Sequence, residues 1–595
     1  MPKPRVDPIT LAVVRGALET TQREMTLTLE KTARSSVFNV AHDYSNALFN
    51  HRAEMILQGQ DIPIHLGGLM PAMKAVAAYF GDDIHEGDVI YHNDPVLMGS
   101  HILDCCMYKP IFHQGKLVFW SVCKGHVTDI GGPVPAGYNP AATEIYAEGL
   151  RIPPVKLWDK GRPRNDVIGF LLANVRSRRD WEGDLRAQFG AVSIGERNLL
   201  ALLAKYGVSE VQSCVDELLD MAERAMRALF ASIPDGSHEA SAVLEDAGHG
   251  LGELRIEARV TIEGEHCHIR IDSPPQVPYF INSYAGNSHS GVYLGLMMFA
   301  KVAPPYNEGL YRCITLDLGP KGTLCNAAEP APHVNCTTTP METLADAVRL
   351  ALEQAAPERA VGSWCHSSGI NIAGRDRRND EEYVTMVLAS LIGGAGATAH
   401  LDGWNAVGPQ CCFGALTSGD IELLEHQYPI LIHRYGLVTD SGGAGKNRGG
   451  CATVWEVEPI DHAMTVISFG EGRHYPALGA QGAQGASGGA AHAGCKLGRI
   501  ERKQGDAVIE VLRKNTILKI APGERVATVN PGGGGWGPAL EREIGKVVHD
   551  VRNGYVSLAA AEQEYGVIVD VERWTGRRAG ARHPAPGARR PASGV

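Results

Sequence analysis

In the stretch NDPVLMGSHILDCC, residues 93–106, His101 stands three places before Asp104, and further on GHVTDIGG repeats that spacing with His126 and Asp129. Imidazole nitrogens beside carboxylate oxygens form a hard to borderline donor set that suits zinc, manganese or iron. Each His-x-x-Asp unit has a second reading, a local hydrogen-bonded pair in a loop. A third acid, Asp43 in AHDYS, lies just past a long helical pattern. Three or four such ligands with one position open make up a catalytic metal site. Cys105 and Cys106, adjacent to Asp104, read as packed small hydrophobes in preference to ligands.

These residues must be brought together by the elements around them. MYKPIF (107–112) and KLVFWSV (116–122) read as strands, joined by His113, Gln114 and Gly115, a short polar link ending in glycine that suits a β-hairpin. Pairing about that turn sets residues near 101–104 opposite residues near 124–127, so His126 lands beside His101 and Asp104. That convergence favours a metal over two separate loop pairs. VIY at 89–91 reads as another strand. Asp7 and Pro8 open a helix in which Leu11, Val14, Leu18, Met25 and Leu29 recur at helical spacing, to about Arg34.

Helical texture returns near 196–230, where Ser209 and Gln212 form a capping box ahead of Val215, Leu218 and Leu219. Alternation dominates 240–275, another helix is expected near Met341 to Ala356, and strand-like segments resume at 428–437 and 451–457. The expected fold is α+β and multi-domain, with mixed or antiparallel sheets, packed helices and the metal site in the N-terminal part. The expected division is a metal-binding catalytic domain (1–235), a middle substrate and interface domain (236–420), a Gly-rich β assembly domain (421–570) and a disordered basic tail (571–595).

The chain has 595 residues, 44% of them hydrophobic, enough for two to four domains. A formal net charge of −11 argues against a nucleic-acid or anionic-membrane surface. Its apolar runs, such as the one around Leu294 to Ala300, fall short of the roughly 20 residues that span a bilayer. MPKPRVDPIT lacks the apolar core of a signal peptide, so a cytoplasmic location is expected. Thirteen cysteines, an odd number without zinc-finger spacing, are expected to be mostly reduced and buried.

SGGAGKNRGG (441–450) has Asn447 where a phosphate loop needs Ser or Thr, and reads as a turn or partner contact. GASGG (485–489) matches a serine-hydrolase elbow by chance, without its preceding strand. NPGGGGWG (530–537) suits an ordering or assembly role. His65 in PIHLGG reads as a satisfied core histidine or as a substrate contact.

Taken in order, HDYSNALF, IPIHLGGLMP, YHNDPVLMGSHILD, GHVTDIGG, EIYAEGLRIPPVKL, GDLRAQ, DSGGAGKNRGG, NPGGGGWG and DVRNGYVSLAAAEQEYG resemble the hydantoinase B/oxoprolinase family. The resemblance runs from His42 to Gly566. It implies a subunit of a hetero-oligomer whose A-type partner binds ATP and its magnesium and phosphorylates the substrate, this chain completing the reaction at a divalent metal. The family's ligand positions carry over onto Asp43, His101, Asp104 and His126, which leaves Asp129 to orient a histidine. Two departures stand out: the text after NDP reads VLMGSHILD, and Val127 follows His126 where many members pair two histidines.

Asn282, His289 and Asn335, in middle segments that also differ from common members, are candidates with His65 to line a substrate pocket. The resemblance implies ATP-dependent hydrolysis of a cyclic amide such as a hydantoin, oxoproline or lactam. Its carboxylase branch implies instead a ketone carboxylase of the acetone or acetophenone type using bicarbonate. A non-catalytic scaffold for the ATP-binding subunit is the reading from a different class.

Overall fold

The computed structural model describes residues 6–59, 61–245, 250–482 and 498–580. The GASGG match, most of the glycine-rich run at 470–498 and tail residues 581–595 lie outside the described residues. The expected α+β architecture of mixed and antiparallel sheets with packed helices is what the chain forms.

The N-terminal sheet is built from β1 (Tyr44–Asn50), β2 (Met55–Gln58), β3 (Val89–His92), β4 (Asp104–His113), β5 (Lys116–His126), β6 (Val155–Asp159) and β7 (Arg162–Pro163), in the order β2-β1-β5-β4-β3-β6-β7. All neighbouring pairs are antiparallel. The helix Pro8–Thr32, capped by the Asp7 carboxylate accepting from the Thr10 amide at 2.8 Å, packs against the helix Arg178–Tyr206 on this sheet. Its buried stripe includes the expected Val14, Leu18, Met25 and Leu29.

The helix Val208–Ala231 follows Arg178–Tyr206 directly through Gly207, whose φ of 80° lets the chain reverse. Ser209 therefore lies inside the helix, and the expected capping box does not form. The second sheet (Gly236–Leu244, Leu254–Glu263, His266–Asp272, Ile314–Asp317) buries alternate residues and packs on the helix Pro340–Ala355. That helix rests on Ala285–Ala300, which in turn rests on Pro63–Phe80.

Two further sheets follow. One joins Ser368–Asp376 and Glu381–Met386 to Met464–Gly470 and Ile517–Ile520, combining strands from both sides of residue 420. The other holds Ile430–Leu437, Thr453–Pro459, Glu524–Val529, Arg499–Gln504 and Ala507–Val511. One apolar core runs from Val6 to Phe469, and a separate one fills the C-terminal sheets.

The expected tail begins too early. Thr575–Arg578 forms a hairpin with Val567–Asp570, held by the Arg578 guanidinium on the carbonyls of Tyr565 (2.6 Å) and Arg542 (2.5 Å). Among the described residues, no helix is long and apolar enough to cross a membrane.

Gly295 lets the helices Ala285–Ala300 and Pro340–Ala355 touch, since a Cβ there would lie 2.4 Å from the Ala345 carbonyl oxygen. Gly295→Ala should lower stability by about 1–3 kcal/mol, read as a fall in Tm. An unchanged Tm would mean that the contact has slack.

Candidate metal centre

β4 and β5 are joined by Gln114 and Gly115, both left-handed at φ 50° and 74°. A two-residue turn of this kind matches strand twist, and together with a bulge between Ile111 and Phe112 it sets the register. Asp104 pairs with His126 and Cys106 with Lys124, so Asp104, Lys124 and His126 project from one face of the sheet. β1 continues the ladder from β5, and the His126 amide donates to the Asp43 carbonyl at 3.0 Å. His65 arrives from the first turn of the helix Pro63–Phe80.

The donors converge. His101 Nε2 lies 2.8 Å from Asp104 Oδ1 and 3.1 Å from His126 Nδ1, and His126 Nδ1 lies 3.5 Å from Asp104 Oδ1 and 4.0 Å from Asp43 Oδ2. His65 Nε2 stands 3.5 Å from Asp43 Oδ1 and 3.4 Å from Asp104 Oδ1. His65 therefore belongs to the centre itself, touching both carboxylates. His101 Nδ1 donates to the Val334 carbonyl at 2.9 Å, which leaves Nε2 to present a lone pair to a carboxylate oxygen. Lone pairs facing one another at such distances fit a bound cation, and His101, Asp104 and His126 offer ligand atoms all within 4.8 Å of one another.

Charge is balanced locally. Burial would raise the Asp104 pKa, but His101, Lys124 and His65 hold it well below the usual carboxylate range. Its second oxygen accepts from Ser100 Oγ at 2.7 Å and faces Lys124 Nζ at 3.1 Å. Asp43 is pushed up by burial, with His126 opposing, to about 6, and burial lowers the His65 pKa. The centre opens on a cavity of about 40 Å³ whose other wall carries Tyr138, Thr337, Thr338, Ser367, Cys411 and Cys412 among apolar side chains such as Leu388, Leu391 and Leu416.

Several expected residues lie elsewhere. Asp129 orients no histidine, because its oxygens accept from the amides of Gly131, Ala136 and Arg176 and from the Arg176 guanidinium, which closes its own loop. Asn282 staples a turn through the amide of Val277 and the carbonyls of Val277, Tyr279 and Pro332. Asn335 bonds Thr338 and Thr339 before the helix Pro340–Ala355, and His289 donates to the Ala285 carbonyl of its own helix. None of these lines the cavity. Cys105 and Cys106 are buried with their thiol pKa values raised by burial, and all twelve cysteines among the described residues are free.

Lys124 and Ser100 escaped the sequence reading. The signal for Lys124 was present, a lone cation two places before His126 in an apolar strand. Glu148 also escaped it. Its carboxylate accepts the amides of His333 and Val334 at 2.7 and 2.8 Å, fixing the carbonyl that holds His101.

A family model described as hydantoinase B/oxoprolinase matches residues 7–539. Caprolactamase subunit beta of Pseudomonas jessenii is 69% identical over 566 residues, 95% of this chain and 97% of that protein. The crystal structure of the ATP-dependent caprolactamase from Pseudomonas jessenii superposes with a TM-score of 0.89 at 65% identity, over 96% of this chain and 97% of that one. A nucleotide-free acetone carboxylase superposes with a TM-score of 0.83 at 19% identity, over 97% of this chain and 82% of the other, and shares the fold.

A second ionic cluster stands behind the cavity wall. Glu342 accepts the Ser367 amide (2.7 Å), the Ser367 hydroxyl (3.0 Å) and the Cys411 amide (3.1 Å). His366 bonds Asp346 at 3.0 Å, and Arg349 joins Asp346 to Glu353. Burial alone would lower the His366 pKa, but Asp346, with Glu342 and Glu471 behind it, raises it to about 9. Burial opposes ionisation of Asp346, yet Arg349 and His366 bring it to about 2.

A histidine raised from an ordinary value near 6.5 to about 9 contributes stability fully present below about pH 6.5 and lost as pH rises through 9. His366→Asn should therefore flatten the fall in stability between pH 7 and 10 by on the order of 2 kcal/mol, measured by urea denaturation. Parallel curves for the two proteins would refute this.

Proposed function

The chain belongs to the hydantoinase B/oxoprolinase family, and on that premise we propose that it is the metal-dependent subunit of an ATP-dependent cyclic-amide hydrolase of the lactam class. The observation that carries this reading is the buried convergence of Asp43, His65, His101, Asp104 and His126 in a chain 69% identical to a caprolactamase beta subunit. The partner is an A-type subunit that binds ATP and magnesium and phosphorylates the ring carbonyl. Residues 1–235 carry the centre, and the parts expected at 236–420 and 421–570 share a sheet that ties them into one support for it.

Asp43, His101, Asp104 and His126 hold a divalent ion, zinc or manganese before iron, because nitrogen and oxygen donors without thiolate select borderline to hard metals. When bound, the ion supplies a Lewis acid and brings the pKa of a coordinated water towards about 7. The remaining work falls to the chain. Lys124 and Ser100 fix one Asp104 oxygen so that the other faces the histidines. The Val334 carbonyl fixes His101, and the stacked rings of Tyr138 and Phe469, centroids 4.9 Å apart, close the site against bulk water. The hydroxyls of Thr337, Thr338 and Ser367 line the cavity, those of Thr338 and Ser367 donating to Asn335 and Glu342 and keeping their lone pairs to accept from a ring amide N–H.

Co-expression with the A-type partner should give ATP-dependent ring opening of a lactam with no requirement for bicarbonate. Turnover that needs a ketone and bicarbonate would replace this reading with the carboxylase one. Asp104→Asn should lower metal affinity by about 100-fold or more, with the chain still folded but its Tm lowered because Lys124 loses its buried partner. Full metal content in the soluble variant, or full activity of a metal-free complex, would favour the scaffold.

A further inference from the structure

Cys411 and Cys412 take no part in the function proposed above, yet both line the metal cavity, and their sulfurs lie 3.4 Å apart. They close the short helical turn Gln410–Cys412, which lets both side chains leave towards one place. The other adjacent pair, Cys105 and Cys106, stands on β4, where successive side chains leave on opposite faces.

Both residues are held in position. The Cys411 amide donates to the Glu342 carboxylate at 3.1 Å, its Sγ lies 3.7 Å from Ser367 Oγ, and the Cys412 amide donates to the Pro409 carbonyl at 3.1 Å. Neither thiol is used in a disulfide. Their separation suits two sulfurs bound to one atom. Bonds of about 2.3 Å, the length of a zinc–thiolate bond, put two sulfurs about 3.3 Å apart at a right angle and about 3.8 Å apart at the tetrahedral angle. The observed 3.4 Å therefore favours a pyramidal, three-coordinate centre over a tetrahedral cation.

Charge and space narrow the ligand further. The neighbouring Cys412 thiol and burial hold the Cys411 pKa well above the usual range, so this thiol keeps its proton. A soft divalent cation would have to expel thiol protons beside a centre built for another divalent cation. An uncharged hydroxide of a soft element carries them off as water. The cavity, about 40 Å³ against the roughly 10–15 Å³ that admit one water, has room for a group of a few atoms.

We propose that Cys411 and Cys412 form a dithiol site for a trivalent arsenical, arsenous acid, whose adduct closes the metal cavity. Two sulfur–arsenic bonds form and two arsenic–hydroxyl bonds break. Each thiol proton leaves with a hydroxide as water, one hydroxyl stays on the arsenic, and the arsenic remains trivalent. The binding site stands on the thiol geometry, and its effect on ring opening rests on the function proposed above.

The test uses the complex of this chain with its A-type partner, as wild type, Cys411→Ser and Cys412→Ser. Each is exposed to arsenous acid without added thiol and freed of excess by gel filtration, and arsenic and metal are then counted per complex. The partner's own thiols contribute equally to all three. Wild type should retain one arsenic more per copy of this chain than either variant, with the metal count unchanged. Arsenic-edge X-ray absorption of the wild type, which needs no variant to fold, should show two sulfur neighbours and one oxygen. The concentration of arsenous acid that halves ring opening should rise by about 100-fold or more in either variant, since a single thiol forfeits the chelate.

Equal arsenic in wild type and both folded variants, or arsenic held by three sulfurs, would overturn the site. An extra arsenic that leaves ring opening untouched would overturn the closing of the cavity. If the untreated wild-type complex opens no cyclic amide, the functional reading fails, and the arsenic count with its neighbours still decides the site.

Discussion

Asp104 lies opposite His126 because the two-residue turn at Gln114 and Gly115 and the bulge at Val118, where the register shifts between Ile111 and Phe112, together set how β4 and β5 pair. The rest of the centre depends on that register. A slip of one residue between the two strands would turn Lys124 and His126 to the face opposite Asp104. β1 takes its place from β5, so Asp43 is delivered by the same ladder, and every residue of β1 is buried. His65 is the one member of the centre set by a helix, through its contact with Ser45 of β1 (3.3 Å) and the two carboxylates.

Burying these groups is tolerable only because their charges cancel in part. With neutral imidazoles, Asp43, Asp104 and Lys124 sum to one negative charge in a cavity walled by leucines. An unpaired buried charge is expensive, and a protein either neutralises it by protonation or binds a counter-ion. The raised Asp43 pKa is the first response and the convergence of lone pairs on a common point is the second. A divalent cation turns the local sum to +1, the sign that favours an anionic group nearby.

The hairpin was legible because its signal is local: two β-rich runs around a polar link ending in glycine, with the His and Asp residues at its open end. The failures have a common cause. Asn282 and Asn335 are polar residues of the kind that lines pockets, but Asn282 is taken by backbone groups of its own and a neighbouring loop and Asn335 by the Thr338 and Thr339 hydroxyls that follow it, and no side-chain type announces such partners. Asp129 copies the spacing of Asp104, yet its chain has left β5 and bends back on itself, so its own amides claim it. Ser209 and Gln212 fitted a cap by type, but Gly207 let one helix run straight into the next. The place of His65 beside both carboxylates required knowledge of which faces meet.

The glycine motifs serve backbone packing, not ligand binding. SGGAGKNRGG and NPGGGGWG lie against each other, Gly443 donating to the Gly533 carbonyl (2.9 Å), Gly533 to that of Gly450 (3.0 Å), and Asn447 and Trp536 exchanging both bonds (3.0 and 2.9 Å). A Cβ at Gly532, Gly533 or Gly534 would come within 2.0 Å of a backbone oxygen, so the glycines serve close packing. A phosphate cradle needs amides left free to point at the ligand, and these are taken. The segment running out of Met464–Gly470 then braces the metal cavity. Phe469 stacks on Tyr138, and the Glu471 amide donates to the Ser367 carbonyl at 2.7 Å, so one short segment holds two of the residues that line it, and a change of spacing there would move both together.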